Sequence, residues 1–157
     1  MGHQRLRFSW AVAGLLFSVG ASANVCDELK NIVGMSSNNF DNIRGRAKGV
    51  DTWDVTELLP GYRNCSIERK EGLGVILNCQ SVLFGSKEDA QKNMVHNTDI
   101  ALRCLGNEWS VLLSGFGHSS ISNKSGDIIT TLVFPAFALE SKYLLTTTIS
   151  HIRTKGE

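Results

Sequence analysis

The sequence contains no run of basic residues longer than two, so nothing resembles a phosphate-binding stripe. Nucleic acid is therefore not an expected partner. After the first two dozen residues no apolar stretch approaches the roughly 20 residues that a membrane-spanning helix needs, so no membrane insertion is expected once that segment is gone. The chain has no G-x-S-x-G nucleophile elbow, no H-E-x-x-H, no G-K-[ST] phosphate loop and no dinucleotide fingerprint. Its cysteines show neither the C-x-x-C spacing of thiol oxidoreductases nor the paired C-x₂₋₄-C of zinc clusters. No metal, cofactor or catalytic residue is assigned on these grounds. Internal repeats and domain linkers are also lacking.

What is present begins with MGHQRLRFSWAVAGLLFSVGASA. Arg5 and Arg7 form a positive start, Trp10 to Gly20 a short apolar run, and Ala21-Ser22-Ala23 an A-x-A cleavage site. This is the three-part pattern of a secretory signal peptide, residues 1–23, with a single domain expected over 24–157. Val25 precedes Cys26 where lipid-anchored bacterial proteins carry a small residue, so a lipid anchor is not expected. Loss of Arg5 and Arg7 takes the basic count from 16 to 14 against 15 acidic residues, a net charge of about −1 with histidine neutral. The expected location is periplasmic or secreted.

All four cysteines, Cys26, Cys65, Cys79 and Cys104, lie in the exported part, and an even count in an oxidising compartment reads as two disulfides. The stretch CSIERKEGLGVILNC places Gly72 midway between Cys65 and Cys79. A hairpin centred there sets the two cysteines opposite each other, with Ile67, Val75 and Leu77 on the same face. That predicts Cys65–Cys79 and leaves Cys26 for Cys104. In the chain-entropy account, closing a loop of about 15 residues stabilises by roughly 3 kcal/mol and one of about 79 residues by about 4.5 kcal/mol.

Apolar spacing predicts a helix over Val25–Val33 and a second short helix from Phe40 to Ala47. A hairpin follows from Tyr62 to about Phe84. Ser86 then caps the clearest helix, which ends at Gly106. Further strands are expected at Glu108–Ser114, Asp127–Phe134 and Lys142–Arg153. The fold class predicted is α+β: an antiparallel sheet of about five strands with helices packed on one face, in the order α-α-β-β-α-β-β-β.

SGFGHSSISNKSG, residues 114–126, reads as a long loop joining two strands, well beyond the usual hairpin length. Phe116, His118 and Ile121 stand in it on a glycine and serine background, and are the candidate binding residues. Trp53 is a candidate aromatic anchor, a residue type enriched at binding hot spots. His96 points away from the core face of its helix, and His151 ends a strand face shared with Tyr143, Leu145, Thr147 and Ile149. Both read as ordinary structural or solvated positions. Two N-x-[ST] triplets, at Asn64 and Asn123, matter only in a eukaryotic secretory pathway.

The resulting expectation is an exported small protein that acts by binding a protein partner. In its sharper form it is an inhibitor or immunity-type protein that neutralises an envelope-acting enzyme or toxin. The alternatives are a small periplasmic hydrolase with a histidine acid–base, or a structural accessory subunit of an envelope complex.

Overall fold

The computed structural model describes residues 20–136 and 142–152. Residues 1–19 of the expected signal peptide lie outside that range, and its last four open the first helix. Among the described residues, no helix is long and apolar enough to cross a membrane.

The chain starts with helix α1 (Gly20–Gly34) and passes through two short 3₁₀ turns, Ser36–Asn38 and Asp41–Ile43. Four strands follow: β1 (Arg44–Ala47), β2 (Thr52–Val55), β3 (Asn64–Lys70) and β4 (Gly74–Gln80). Helix α2 (Lys87–Leu105) then leads to β5 (Trp109–Gly115), β6 (His118–Asn123), β7 (Asp127–Pro135) and β8 (Tyr143–His151). All eight strands form one antiparallel sheet in the order β1-β2-β3-β4-β8-β7-β6-β5. Each half is a four-strand meander. Helix α2 carries the chain from the middle of the sheet to its far edge, and the second meander returns until β8 closes on β4.

The expected five strands and the order α-α-β-β-α-β-β-β are therefore corrected to eight strands in the order α-β-β-β-β-α-β-β-β-β. The class, α+β, stands. The expected helix at Phe40–Ala47 is a 3₁₀ turn followed by β1. Asn39 and Phe40 both take left-handed φ of 59°, which breaks any helix there, and the single turn suffices to bury Phe40 and Ile43. The expected long loop is strand β6 between two tight turns. Its hydroxyls conceal a strand, because Ser119 and Ser120 are buried and bonded to Thr98 and Thr130 rather than solvated. The last strand ends at His151; Arg153, its expected end, is outside the described residues.

One row of side chains runs straight across the sheet through Trp53, Ile67, Leu77, Ile149, Ile129 and Ile121, each paired with the next. Period-two alternation puts this row on the face that the helices cover. There it packs with Leu29, Ile32 and Val33 of α1, Phe40 and Ile43, and Ala101 and Cys104 of α2. A second buried cluster joins Ala90 and Met94 of α2 to Leu145. Helix α2 begins as its sequence dictates: the Ser86 hydroxyl accepts from the Asp89 N–H at 3.1 Å, and Glu88 and Asp89 complement the positive helix start.

Two disulfides brace this frame, with the pairing expected from the sequence. Cys65 and Cys79 face each other across β3 and β4 with Cα atoms 4.1 Å apart. Cys26 and Cys104 tie α1 to the end of α2 at 4.9 Å.

Candidate functional site

The two edges of the sheet differ in chemistry. Strand β1 is short, carries Arg44 and Arg46, and shifts register between Arg44 and Ala47. Short length, positive charge and irregular register are devices by which proteins protect sheet edges from pairing with other chains. At the opposite edge β5 is seven residues long, WSVLLSG, with no charged residue and no proline. Only Trp109 is buried; Val111, Leu112 and Leu113 are all more than half exposed. Among the described residues β5 has a sheet neighbour on one side only, so its outward N–H and C=O groups are open to another strand.

A register shift lies between Val111 and Leu113, so β5 turns apolar side chains to more than one direction. At the far end of β5 the chain reverses through Phe116 and Gly117. Gly117 has φ +82°, which a glycine adopts without steric cost and which lets the turn stay this tight. Phe116 stands wholly exposed, at 101% of its reference area. Beside it, Gln91, Met94 and the exposed Val95 of α2 form the wall of a shallow cleft that Phe116 closes on the other side. Exposed apolar side chains thus border the molecule here: Val111, Leu112 and Leu113 on β5, Phe116 on the turn and Val95 across the cleft. Exposed apolar surface of this kind, next to a free strand edge, marks interaction sites.

The other sequence-derived candidates are dispersed. His118 lies at the start of β6, two residues from Phe116, and its Nε2 is 3.1 Å from the Ser120 hydroxyl, which in turn is 2.7 Å from that of Thr130. It is half-buried on the sheet face opposite the helices, near the candidate border. Ile121 is 2% exposed and belongs to the core row, so it supports β6 from within and presents no loop surface. Trp53 sits in β2, half-buried, with the guanidinium of Arg44 4.7 Å from its ring centre. Five strand spacings separate β2 from β6, about 24 Å at the usual interval. Trp53 and Phe116 therefore do not form one site.

No local pattern in the chain marks a partner for His151, and the fold supplies one. Its Nδ1 lies 2.8 Å from Asp127 Oδ1, which also accepts from the buried Ser36 hydroxyl at 2.6 Å, while Asn123 Nδ2 donates to Oδ2 at 2.8 Å. Burial alone would push the Asp127 carboxyl up. The hydrogen bonds from Ser36, His151 and Asn123, with the charge of His151, outweigh that and hold it below the usual carboxylate range. A serine, a histidine and an aspartate meet here, but the serine hydroxyl bonds the carboxylate and not the imidazole. Ser36 is also only 2% exposed. The arrangement pins the 3₁₀ turn at Ser36–Asn38 to β7 and β8; it does not activate a nucleophile. Among the described residues no group of three or more His, Cys, Asp or Glu side chains is gathered as a metal site would require.

No protein-family model, no curated protein and no solved structure matches this chain.

Proposed function

We propose that the protein is an exported binding protein that receives an extended segment of a protein partner along the β5 edge, with Phe116 as the anchor. The observation that carries this is the contrast between the edges: β1 has the features that discourage pairing, and β5 has the length, neutrality and apolar exposure that invite it. In such docking the main chain of the partner strand supplies hydrogen bonds to β5, and side-chain contacts supply selectivity. The cleft beside Phe116 takes a partner side chain at the end of the added strand.

The sharper reading is an inhibitor or immunity-type protein acting on an enzyme or toxin of the cell envelope. Two disulfides are compatible with an oxidising, extracytoplasmic compartment. An aromatic side chain presented on a tight turn, held by a stapled scaffold, loses little conformational freedom on binding, which favours tight one-to-one association.

The test is affinity capture of the tagged, signal-processed protein from envelope extract of its native cells, with three variants run in parallel. A stoichiometric partner that is retained by Arg46→Ala but weakened at least tenfold by Phe116→Ala and by Leu112→Lys supports the proposal. A partner held equally by all variants refutes the β5 site. If sedimentation shows instead a self-association that Leu112→Lys removes, the occupant of the edge is a second copy and the inhibitor reading fails.

A further inference from the structure

Next to the apolar row, the helix-covered face of the sheet contains a second row of a different kind. From the Cys65–Cys79 pair it continues through Thr147, Thr131 and Ser119, each opposite the next on β8, β7 and β6. All three hydroxyl residues are at most 6% exposed, in a layer otherwise built of apolar side chains and a disulfide. Hydroxyls are placed there at a desolvation cost that apolar residues of similar size would avoid.

A cavity of about 250 Å³ lies above this row. Thr147, Thr131 and Ser119 contribute to its floor, Val25 and Leu29 of α1 and the Leu59–Tyr62 segment to one wall, and Asn97, Ile100 and Ala101 of α2 to another. The Tyr62 hydroxyl reaches down to Thr147, whose hydroxyl is 2.8 Å from that of Thr131. These three hydroxyls have more lone pairs than the bonds among them use, so the cluster can accept a further hydrogen bond, and Asn97 on the wall has a second amide proton beyond the one given to Asn93. Thr98 and Ser119 form a second pair at 2.9 Å, with Thr98 also bonded to the Met94 carbonyl. Burial pushes the Tyr62 phenol up, with contacts to Thr147, Asn97 and Thr131 opposing, so the phenol stays protonated and able to donate at neutral pH.

We infer that this cavity is a binding site for a small neutral amphiphile, an apolar body bearing one head group that both donates and accepts a hydrogen bond, such as an alkylphenol or a medium-chain alcohol. Size, charge and polarity each constrain the ligand. An engineered cavity of about 150 Å³ accepts benzene, so by proportion this one accepts about ten non-hydrogen atoms. Among the described residues no charged side chain lines it, so an ionised head would be buried without compensation and is rejected. The apolar walls with a few convergent polar groups are the general form of a small-molecule site. The Cys26–Cys104 bond joins the two helices that border the cavity and fixes the gap between them. Strand β5 contributes nothing to the lining, so the inference is independent of the partner edge.

The experiment is a nitrogen-15 NMR titration of the signal-processed protein with 4-propylphenol, propylbenzene and 4-propylbenzoate at pH 7. For 4-propylphenol the expected result is saturable shifts centred on Tyr62, Asn97, Ala101, Thr131 and Thr147, with a dissociation constant on the order of tens of micromolar. Propylbenzene should bind at least fivefold more weakly for want of a head group, and the carboxylate at least tenfold more weakly. Ala101→Phe, which fills the space, should abolish the shifts. Thr147→Val should weaken the phenol at least fivefold and leave propylbenzene unchanged, and it decides the matter if Ala101→Phe does not fold. The inference is overturned if the phenol gives no saturable shifts below about 1 mM, if the three probes bind alike, or if a folded Ala101→Phe binds as the parent does.

Discussion

Replacing Asp127 should destabilise the protein at neutral pH and do so progressively less in acid. The carboxylate accepts from Ser36, Asn123 and His151. In Asp127→Ala the Ser36 hydroxyl, 2% exposed, loses its acceptor and has no access to water, a cost of about 1–3 kcal/mol. His151 and Asn123 are half-buried and recover part of their loss from solvent. The sum is about 2–3 kcal/mol, or roughly 6–10 °C in Tm for a domain of this size. The carboxyl titrates lower in the folded protein than in the unfolded chain. Its contribution is therefore fully present above the unfolded value, near 4, and is lost as pH falls through the depressed folded value. Asp127→Asn keeps the shape of the side chain and does not titrate, so the gap between it and the parent isolates the charge. Urea midpoints for the three proteins at pH 7, 4 and 2.5 should show that gap at about 1–2 kcal/mol at pH 7 and narrowing below pH 4. A gap that holds constant down to pH 2.5, or one below about 0.5 kcal/mol at pH 7, would refute the account of the cluster as a charge-dependent tether.

Removing the disulfides one at a time, as Cys26→Ser with Cys104→Ser and Cys65→Ser with Cys79→Ser, should destabilise more for the first pair by about 1.5 kcal/mol, because it closes the longer loop; equal or reversed urea midpoints would show that native packing and not chain entropy dominates. Ile121→Ala should cost about 2–5 kcal/mol, whereas Phe116→Ala should stay within about 0.5 kcal/mol of the parent, since the first side chain is in the core row and the second touches solvent on all sides. Similar melting temperatures for these two variants would contradict the placement of β6. Gly126→Ala should be destabilised by at least about 1–3 kcal/mol: at φ +92° its added Cβ would meet the Ile152 carbonyl oxygen at 2.5 Å. A melting temperature equal to the parent's would mean that the turn and the last strand are not packed this way.

How much of this was legible in the sequence depended on whether the signal was local. The pairing of Cys65 with Cys79 was, because a glycine turn and period-two alternation set register within 15 residues of chain. Helix α2 was legible for the same reason, with its cap, periodicity and stop signal all contiguous. Strand β6 was not, since HSSISN offers one apolar residue and its serines only make sense as buried groups once Thr98 and Thr130 are beside them. Nor was β1, where the residues RGRA alternate nothing apolar and pairing with β2 alone defines the strand. Asp127 and His151 are 24 positions apart and meet because β7 and β8 pair in register. For Phe116 the glycine and serine background of its neighbours suggests a long loop; the fold puts it on a tight turn instead, which makes it a fixed projection.

The free β5 edge is a consequence of topology that no short window of residues encodes. Had the chain after β4 continued the meander directly, the WSVLLSG strand would have lain against β4 with both neighbours filled, and its three apolar residues would read as ordinary interior. Helix α2 instead takes the chain to the opposite end before the second meander begins, which leaves the first strand of that meander outermost and brings the last, β8, back to the centre. The same crossing lays α2 over the Thr147–Thr131–Ser119 row, with Thr98 and Asn97 turned toward it. One connection thus produces both the exposed edge and the roofed polar row, while the stapled β3–β4 hairpin and the short basic β1 close the other half of the sheet. On the proposed function, that division gives bracing to the first meander and recognition to the second. It also accounts for the sparse apolar content of β6, which lies between the two features: it must pair with the edge strand on one side and present the Ser119 hydroxyl beneath the helix on its covered face.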